Sequence, residues 1–186
     1  RIETGTYIIA GALVGKNLKI ENIIPEHVES LTLKLKEMGV KMELGADYII
    51  ISKSDGLKAI SVKTQGYPGF ATDLQQPLTT LLTQCNGVSK LEETIYENRF
   101  QNVPYLKEMG ANIENLGKKI KVNGPTILEG KNVTATDLRA GACLVLAGLI
   151  AKGTTTITNI EHVLRGYENI IEKLTNVGAK ITLEEI

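Results

Sequence analysis

The sequence predicts an α/β protein in which β-sheets lie on the outside and pack around helices that are buried in the middle. Two observations predict this fold. A segment made of a helix, a glycine and a strand occurs three times along the 186 residues. A further helix is apolar around nearly its whole circumference, as only a helix buried on all sides is. The repetition indicates three similar units within one domain.

Each copy of the repeated segment reads as a helix that ends at a glycine and is followed directly by a strand. The copies are LKEMGVKME at 35–43, LKEMGANIE at 106–114 and LTNVGAKIT at 174–182, about 70 residues apart. Apolar residues at positions i, i+3 and i+4 predict the helix, and glycine most easily adopts the left-handed conformation at a helix end. We therefore expect helices that end at Gly39, Gly110 and Gly178, with alternating strands after them.

Further elements precede each repeated segment. Upstream strands are predicted at 17–23, 88–95 and 154–160, and the helices that follow them begin near Pro25, Asn98 and Gly166. An earlier helix precedes each strand, and in the second and third units it starts with the letters Ala-Thr-Asp-Leu, at 71–74 and 135–138. A unit is therefore a strand, a helix, a strand, a helix and a pair of strands, a βαβαββ pattern.

The earlier helix of the third unit indicates where the helices lie. Residues 138–151 are apolar on nearly every side, so this helix needs burial all round. We place the unit boundaries at about 1–56, 57–131 and 132–186 of a single domain. The third unit is incomplete because the chain stops soon after 181–183, and we expect another segment to supply the strands that it lacks.

Composition and charge narrow the class of protein. Hydrophobic residues make up 42% and charged residues 23%, and 21 basic residues balance 21 acidic ones, which is typical of a globular domain. No chain-wide field attracts nucleic acid or a membrane surface, so neither is expected as a partner. The longest apolar run, 140–151, is too short to span a membrane, and no signal peptide is visible, so we expect a cytoplasmic protein.

The sequence starts at Arg1 without a methionine. We therefore expect that an amino-terminal part of a longer protein is absent.

The residues that most often bind metals or cofactors are few and scattered. Cys85 and Cys143 each lie in an apolar stretch and are expected to be buried, reduced thiols. His27 and His162 have no ligand partners at metal-binding spacing. The Gly-Lys-Ser/Thr phosphate loop and the dinucleotide glycine fingerprint are both missing from the sequence, so we expect neither a metal nor a cofactor.

Arginine is scarce, and its positions are informative. Of the 21 basic residues only four are arginine: Arg1, Arg99, Arg139 and Arg165. The planar guanidinium group is needed where a carboxylate or phosphate must be bound at two points. All four are predicted at the amino ends of helices, where the helix dipole already favours anions. Each one alone reads as a surface ion pair, but the shared placement predicts an anion site built from at least two of them.

The two Ala-Thr-Asp-Leu copies allow two interpretations. In the simpler one, Thr72 and Thr136 are helix caps, and Asp73 and Asp137 support the first helical turn. In the other, a carboxylate beside an arginine cluster is ionised, fixed in place and available as a general base. The residues alone do not decide between them.

Five short strings of this sequence resemble the UDP-N-acetylglucosamine enolpyruvyl transferase (1-carboxyvinyltransferase) family, in the same order and at matching spacing. They are RIETG at 1–5, YPGFATDLQ at 67–75, ENRF at 97–100, ATDLRA at 135–140 and RGYE at 165–168. The resemblance spans essentially the whole chain. It implies a protein of two similar domains, each an inside-out α/β barrel of three repeated units, in which an amino-terminal segment completes the third unit of this domain.

The resemblance also implies a reaction. The enolpyruvyl group of phosphoenolpyruvate moves to the 3′-hydroxyl of UDP-N-acetylglucosamine and phosphate is released, the first committed step of peptidoglycan synthesis. Such a step needs a base for the hydroxyl, an acid for the methylene carbon, and cations around the carboxylate and phosphate. By resemblance, Arg99, Arg139 and Arg165 clamp phosphoenolpyruvate, with Arg165 also counted as catalytic, and Asp137 orients this cluster and assists proton movement.

The same resemblance assigns the sugar nucleotide to a second set of residues. Asp73 is implied to hold and deprotonate the sugar hydroxyl, while Thr72 and the backbone around Ile95 line the sugar-nucleotide site. The acid-bearing loop of the family and its Lys-Asn pair lie in sequence that this chain does not contain. We therefore expect the second domain as a partner, and no turnover from these 186 residues by themselves.

Two alternative functions fit the same sequence features. One is the related enzyme that transfers the enolpyruvyl group to shikimate 3-phosphate, although the Glu-Asn-Arg-Phe and Arg-Gly-Tyr-Glu strings favour the amino-sugar enzyme. The other is a repeat scaffold without catalytic activity, whose arginines bind a phosphorylated ligand or a nucleic-acid end.

Overall fold

The computed structural model describes residues 1–184, and its elements follow the predicted order from α1 to β9. Residues 1–56 form α1 (Ile2–Val14), β1 (Leu18–Glu21), a 3-10 turn (Pro25–Val28), α2 (Glu29–Met38), β2 (Lys41–Leu44) and β3 (Tyr48–Ser52). Residues 57–131 form β4 (Ser61–Lys63), a 3-10 turn (Thr72–Leu74), α3 (Gln75–Leu82), β5 (Gly87–Glu92), α4 (Asn102–Glu108), β6 (Asn112–Asn115) and β7 (Lys119–Gly124). Residues 132–184 form β8 (Asn132–Thr134), α5 (Leu138–Ile150), β9 (Thr156–Thr158), α6 (Glu161–Gly166) and α7 (Ile170–Asn176).

The strands form three sheets, one within each of these three ranges. The first sheet has the order β1-β3-β2 and is antiparallel. The second has the order β4-β5-β7-β6, with β4 parallel to β5 and the other pairs antiparallel. The third pairs β8 with β9 in parallel. The second sheet therefore combines the strand arrangements of the other two. Its strands β5-β7-β6 are arranged like the first sheet, and β4-β5 are arranged like the third.

The glycines after the repeated helices adopt the conformation that the sequence predicts. Gly39 has φ 93°, Gly110 has φ 104° and Gly178 has φ 97°, all in the left-handed region. Each glycine ends the helical path, because a residue with a side chain is strained in that conformation. In the first two copies the chain leaves the glycine directly into a strand, β2 or β6.

The strand predicted after Gly178 does not form, which corrects the sequence-based assignment. Residues 179–184 have no regular secondary structure. The counterparts β2 and β6 pair with β3 and β7, whereas the third unit has no such neighbouring strand within residues 1–184. A strand without a partner leaves its backbone N–H and C=O groups unpaired, so the alternating pattern alone does not produce one.

The second helix of the third unit is also different from the prediction. It was expected as one helix from near Gly166, but α6 ends there and α7 begins four residues later. Asn169 lies between them in the left-handed region, with φ 48°, and asparagine is the residue other than glycine that most readily adopts this conformation.

Three central helices, α1, α3 and α5, form the interior of the protein. They contact one another, and each also contacts a sheet. Most of their apolar side chains are buried, and Ile8, Leu78 and Leu144 are fully buried. In α5 residues 140–147 are all buried, as the apolar pattern of 138–151 predicts.

Among residues 1–184 no helix has the length and apolar character needed to cross a bilayer.

The central packing depends on a close approach between α1 and β3. A Cβ atom on Gly11 would lie 2.2 Å from Cγ2 of Ile51, and Ile51 is fully buried. That methyl group is attached to a branched Cβ and has little freedom to move. Gly148 of α5 is different, since a Cβ atom there would lie 3.5 Å from Thr155 Cβ, an ordinary contact.

We predict that Gly11→Ala lowers the free energy of unfolding by about 1 to 3 kcal/mol, because the added methyl group overpacks the core. The matched variant Gly148→Ala should be neutral or raise it by up to about 1 kcal/mol, because alanine is the better helix former and space is available. Urea unfolding followed by circular dichroism measures both. Equal stabilisation by the two substitutions would contradict the close approach at Gly11.

Candidate functional site

Asp73 is the point at which three separate segments of the chain meet. It lies in the 3-10 turn that precedes α3. Its Oδ1 accepts a hydrogen bond from Arg99 Nη2 at 2.5 Å, and its Oδ2 accepts one from Arg139 Nη2 at 3.1 Å. The side chains of Asp73, Arg99 and Arg139 are 32%, 19% and 21% exposed. One carboxylate is thus shared between two partly buried guanidinium groups, and these charge-assisted contacts are stronger than neutral ones.

Arg139 is held by the start of α5. Asp137 is the N-cap of this helix, and its carboxylate accepts hydrogen bonds from the backbone N–H groups of Arg139 at 2.7 Å and Ala140 at 2.9 Å. A carboxylate at this position satisfies N–H groups that have no partner within the helix and interacts favourably with the helix dipole. Asp137 therefore fixes the backbone that carries Arg139.

Arg99 is held through its own backbone and against an aromatic ring. The amide groups of Gln75 and Gln76 both donate to the carbonyl oxygen of Arg99, at 2.8 and 3.0 Å. Its guanidinium carbon lies 4.5 Å from the centre of the Tyr96 ring, within the range of a cation–π contact. Asn98, with φ 51°, turns the chain just before Arg99.

An open cavity of about 380 Å³ lies over these groups. Its walls include Asp73, Arg99, Asp137, Arg139 and Glu97. The two guanidinium groups can bind an anion at two points, and a carboxylate beside them can accept a proton. Asp137 is engaged as a helix cap and Glu97 is exposed, which leaves Asp73 as the carboxylate at the centre of the arginine pair.

A second hollow of about 270 Å³ lies along β4, β5 and β7. Its polar lining is mostly lysine, including Lys63, Lys90 and Lys121. It lacks the arrangement of a carboxylate between two guanidinium groups, so the cavity over Asp73 is the better candidate for chemistry.

The structure brings Arg99 and Arg139 together at Asp73, whereas Arg165 makes no such contact in the part of the chain that the structure describes. Arg165 lies in the last turn of α6, is exposed, and does not line the cavity over Asp73. The prediction that all four arginines lie at helix amino ends is therefore wrong for Arg165. It holds for Arg1, the N-cap of α1, and for Arg139, the second residue of α5, while Arg99 lies three residues before α4. The error arose because α6, a helix that the sequence did not predict, ends at Gly166, where the predicted helix was expected to begin.

The two other residues expected at the sugar-nucleotide site lie beside the cavity. The hydroxyl of Thr72 donates to Glu93 at 2.8 Å, and Ile95 is exposed with its backbone N–H donated to the same carboxylate at 2.8 Å. Thr72 is adjacent to Asp73 in the chain, and Ile95 begins the loop that leads to Arg99. Their roles toward a ligand stay predictions.

The two Ala-Thr-Asp-Leu copies are used differently. In the third unit the helix cap is Asp137 and not Thr136, which corrects the capping interpretation. In the second unit no side chain caps the 3-10 turn, and the carboxylate of Asp73 pairs with the two arginines instead. The same four letters therefore give a cap in one unit and the central carboxylate of the candidate site in the other.

Both cysteines are free and buried, as the sequence predicts. Burial raises the pKa of Cys85 to about 12 and that of Cys143 to about 11. Thiols with such pKa values hold their protons at neutral pH and are poor nucleophiles. The chemistry of the site therefore rests on carboxylate and guanidinium groups.

Sequence reasoning missed several residues that support the site, above all Glu93, Gln75 and Gln76. Glu93 follows Ser89 and Leu91 at intervals of two along the strand, and all three are buried. A charged residue in register with the buried face of an alternating strand indicates a polar role inside the protein, and this pattern is visible in the sequence. The two adjacent glutamines at the start of an otherwise apolar helix were another.

Comparisons with known proteins show which family this chain resembles. A family model described as EPSP synthase (3-phosphoshikimate 1-carboxyvinyltransferase) matches residues 1–174. The chain is 57% identical over 185 residues to UDP-N-acetylglucosamine 1-carboxyvinyltransferase 1 of Streptococcus agalactiae serotype Ia, a match that covers 100% of this chain and 44% of that protein. It is 53% identical over 186 residues to UDP-N-acetylglucosamine 1-carboxyvinyltransferase 2 of Geobacillus kaustophilus, with the same coverage of 100% and 44%. The chain thus spans less than half the length of these relatives.

Solved structures show the same likeness. The enolpyruvyl transferase NikO from Streptomyces tendae superposes with a TM-score of 0.91 at 31% identity, over 97% of this chain and 43% of that one. EPSP synthase from Acinetobacter baumannii has a TM-score of 0.78 at 20% identity, over 99% of this chain and 46% of that one, a likeness of fold alone. The resemblance to UDP-N-acetylglucosamine 1-carboxyvinyltransferases that the five sequence strings indicate is confirmed by the identities of 57% and 53%. Because the family model covers residues 1–174, the chain belongs to the EPSP synthase (3-phosphoshikimate 1-carboxyvinyltransferase) family.

Proposed function

We propose that this chain is the half of a UDP-N-acetylglucosamine enolpyruvyl transferase that supplies the base and the anion clamp. The observation that carries the proposal is the carboxylate of Asp73 shared between Arg99 and Arg139 at the cavity. The relatives at 57% and 53% identity are named for the UDP-N-acetylglucosamine reaction, which favours that acceptor over shikimate 3-phosphate. The activity would serve peptidoglycan synthesis in the cytoplasm.

The reaction places three demands on a site. The 3′-hydroxyl oxygen of the sugar forms a bond to C2 of phosphoenolpyruvate as its proton leaves, and C3 receives a proton. A C3 proton then returns to the group that protonated C3, and cleavage of the C2–O bond to phosphate yields the enolpyruvyl ether and inorganic phosphate. Asp73 takes the hydroxyl proton, the arginines balance the carboxylate and phosphate charges, and the acid for C3 comes from outside this chain.

Because Asp73 is shared between two arginines, phosphoenolpyruvate must bind before Asp73 can act as the base. Without a substrate anion, both guanidinium groups pair with Asp73 and occupy its oxygens. Phosphoenolpyruvate carries a carboxylate and a phosphate, which compete for the same guanidinium groups. When Arg99 and Arg139 turn toward the substrate, the lone pairs of Asp73 become available to the sugar hydroxyl.

The remaining residues have supporting roles in the proposal. Asp137 fixes Arg139 through the start of α5 and assists proton movement at the cluster. Thr72 and the backbone at Ile95 line the sugar-nucleotide site. Arg165, which is exposed on α6, joins the clamp when the second half of the protein encloses the substrate.

We also propose that residues 1–186 form one domain, an inside-out α/β barrel of three units at 1–56, 57–131 and 132–186. The sheet correspondences support this arrangement, since β5-β7-β6 matches β1-β3-β2 and β4-β5 matches β8-β9. The third sheet is then completed by strands from a segment outside these residues, and the other half of the protein is the partner that closes the cavity.

The full-length protein that contains this chain should release phosphate from phosphoenolpyruvate when UDP-N-acetylglucosamine is the acceptor. Shikimate 3-phosphate should not replace it, because the relatives at 57% and 53% identity are named for the amino-sugar reaction. Phosphate release with each acceptor is measured in a coupled colorimetric assay. Preference for shikimate 3-phosphate would overturn the substrate assignment, and affinity for a short oligonucleotide without either activity would support the scaffold alternative.

In the full-length protein, Asp73→Asn should lower kcat by about 100-fold or more, because the amide cannot accept the hydroxyl proton. Binding of UDP-N-acetylglucosamine, measured by calorimetry, should change little. Asp55→Asn, at an exposed position outside the cavity walls, is the matched control and should retain activity. Near-normal turnover by the Asp73 variant would remove it from the base role.

The isolated 186-residue chain should not release phosphate above the rate without enzyme, because the acid for C3 lies outside it. The measurement uses both substrates at saturating concentration and the full-length protein as positive control. Turnover by the pure chain would show that these residues contain the acid as well.

A further inference from the structure

Glu93 is a buried carboxylate that directs both of its oxygens at the segments carrying the site. It lies at the end of β5 and is 1% exposed. Its Oε1 accepts hydrogen bonds from the Thr64 hydroxyl at 2.9 Å and from the backbone N–H groups of Ile95 at 2.8 Å and Tyr96 at 3.1 Å. Its Oε2 accepts one from the Thr72 hydroxyl at 2.8 Å.

No cation balances this charge within the part of the chain that the structure describes: Glu93 has no salt bridge there. A buried carboxylate is costly unless hydrogen bonds satisfy it, and here four donors do so. An apolar residue would fill the same space without that cost. The carboxylate therefore serves something other than core packing.

Three of the four donors belong to the segments that present the candidate site. Thr72 directly precedes Asp73, and Ile95 and Tyr96 begin the loop that ends at Arg99. Thr64 adds a second link, because its hydroxyl also accepts the backbone N–H of Thr94 at 2.9 Å. The two oxygens of Glu93 thus span the gap between the turn of Asp73 and the loop of Arg99.

We propose that Glu93 is a positioning residue: it sets the separation between the carboxylate of Asp73 and the loop that carries Ile95, Tyr96 and Arg99. One oxygen holds the Thr72 turn and the other holds the loop backbone, so the length of the glutamate side chain determines the spacing. This inference rests on the proposed function for its kinetic readout, but not for its structural one.

Spacing and charge are separated by two substitutions in the full-length protein. Glu93→Asp keeps the charge but shortens the side chain by about 1.5 Å, so it cannot reach both segments. Glu93→Gln keeps the length: its oxygen can still accept from the backbone N–H groups, and its amide can face the Thr72 hydroxyl, which also accepts. Glu92→Gln is the matched control, since Glu92 is the preceding residue and does not line the cavity over Asp73. Its carboxylate pairs with Lys119 at a distance of 3.4 Å.

We expect Glu93→Asp to lower kcat by about tenfold or more and to raise KM for the sugar nucleotide, because small displacements of catalytic groups are costly. Glu93→Gln should lose less than Glu93→Asp, and Glu92→Gln should keep normal kinetics. Unchanged kinetics in both Glu93 variants, or a greater loss in Gln than in Asp, would overturn the role in spacing.

Thr72→Val removes the Oε2 link and leaves the three donors to Oε1 in place. It should lower kcat by about tenfold through Asp73, in addition to any rise in KM from the loss of a hydroxyl in the sugar-nucleotide site. A normal kcat would contradict the proposal, whatever the KM, because it would mean that the Thr72 link does not hold Asp73 in place.

Amide hydrogen exchange provides a readout that does not need activity. In the unaltered protein the N–H groups of Ile95 and Tyr96 should exchange slowly although both residues are exposed, since both donate to Glu93. Glu93→Asp should accelerate both, and Thr72→Val should change neither. Fast exchange of these N–H groups in the unaltered protein would refute the role of Glu93 in holding the loop backbone. If the full-length protein lacks turnover, the proposed function fails while this measurement still decides the role of Glu93.

Discussion

The mutual packing of α1, α3 and α5 is the constraint on which the rest of the structure depends. Most residues of these helices are buried, and the helices contact one another in the middle of the protein. The sheets must complete this burial, because α1 and α5 are largely apolar and every residue of α3 is buried. The close approach at Gly11, where no side chain fits against Ile51, shows how little free space the arrangement leaves.

The same packing creates the site. Because α3 and α5 lie side by side, the turn before α3 meets the first turn of α5. Asp73 in that turn accepts a hydrogen bond from Arg139 of α5. Arg99 arrives from the loop after β5 and completes the pair of guanidinium groups. A reaction that moves charge between a hydroxyl, a carboxylate and a phosphate needs charged groups held in place beforehand. Helix starts and strand ends packed against a rigid core can hold them.

The polar support around the site is as specific as the core below it. Asp137 satisfies the first N–H groups of α5, two glutamines share the carbonyl of Arg99, and Glu93 satisfies the loop backbone and the Thr72 hydroxyl. Each contact fixes a main-chain segment and leaves the charged side chain beyond it free to change partners. This division suits a site whose arginines exchange a protein carboxylate for a substrate anion.

The sequence by itself determined most of the elements and their order, because glycine-ended helices, alternating strands and an all-round apolar helix are local patterns. It also identified Asp73, Arg99, Arg139 and Asp137 as candidates, from arginine scarcity and the family strings. Only the tertiary structure decided which of two identical aspartate motifs pairs with arginines, that Arg165 lies in the last turn of α6, and that residues 179–184 form no strand. The physical reason is separation along the chain. The partners of Asp73 lie 26 and 66 residues away, and a strand needs a neighbour that local sequence cannot supply.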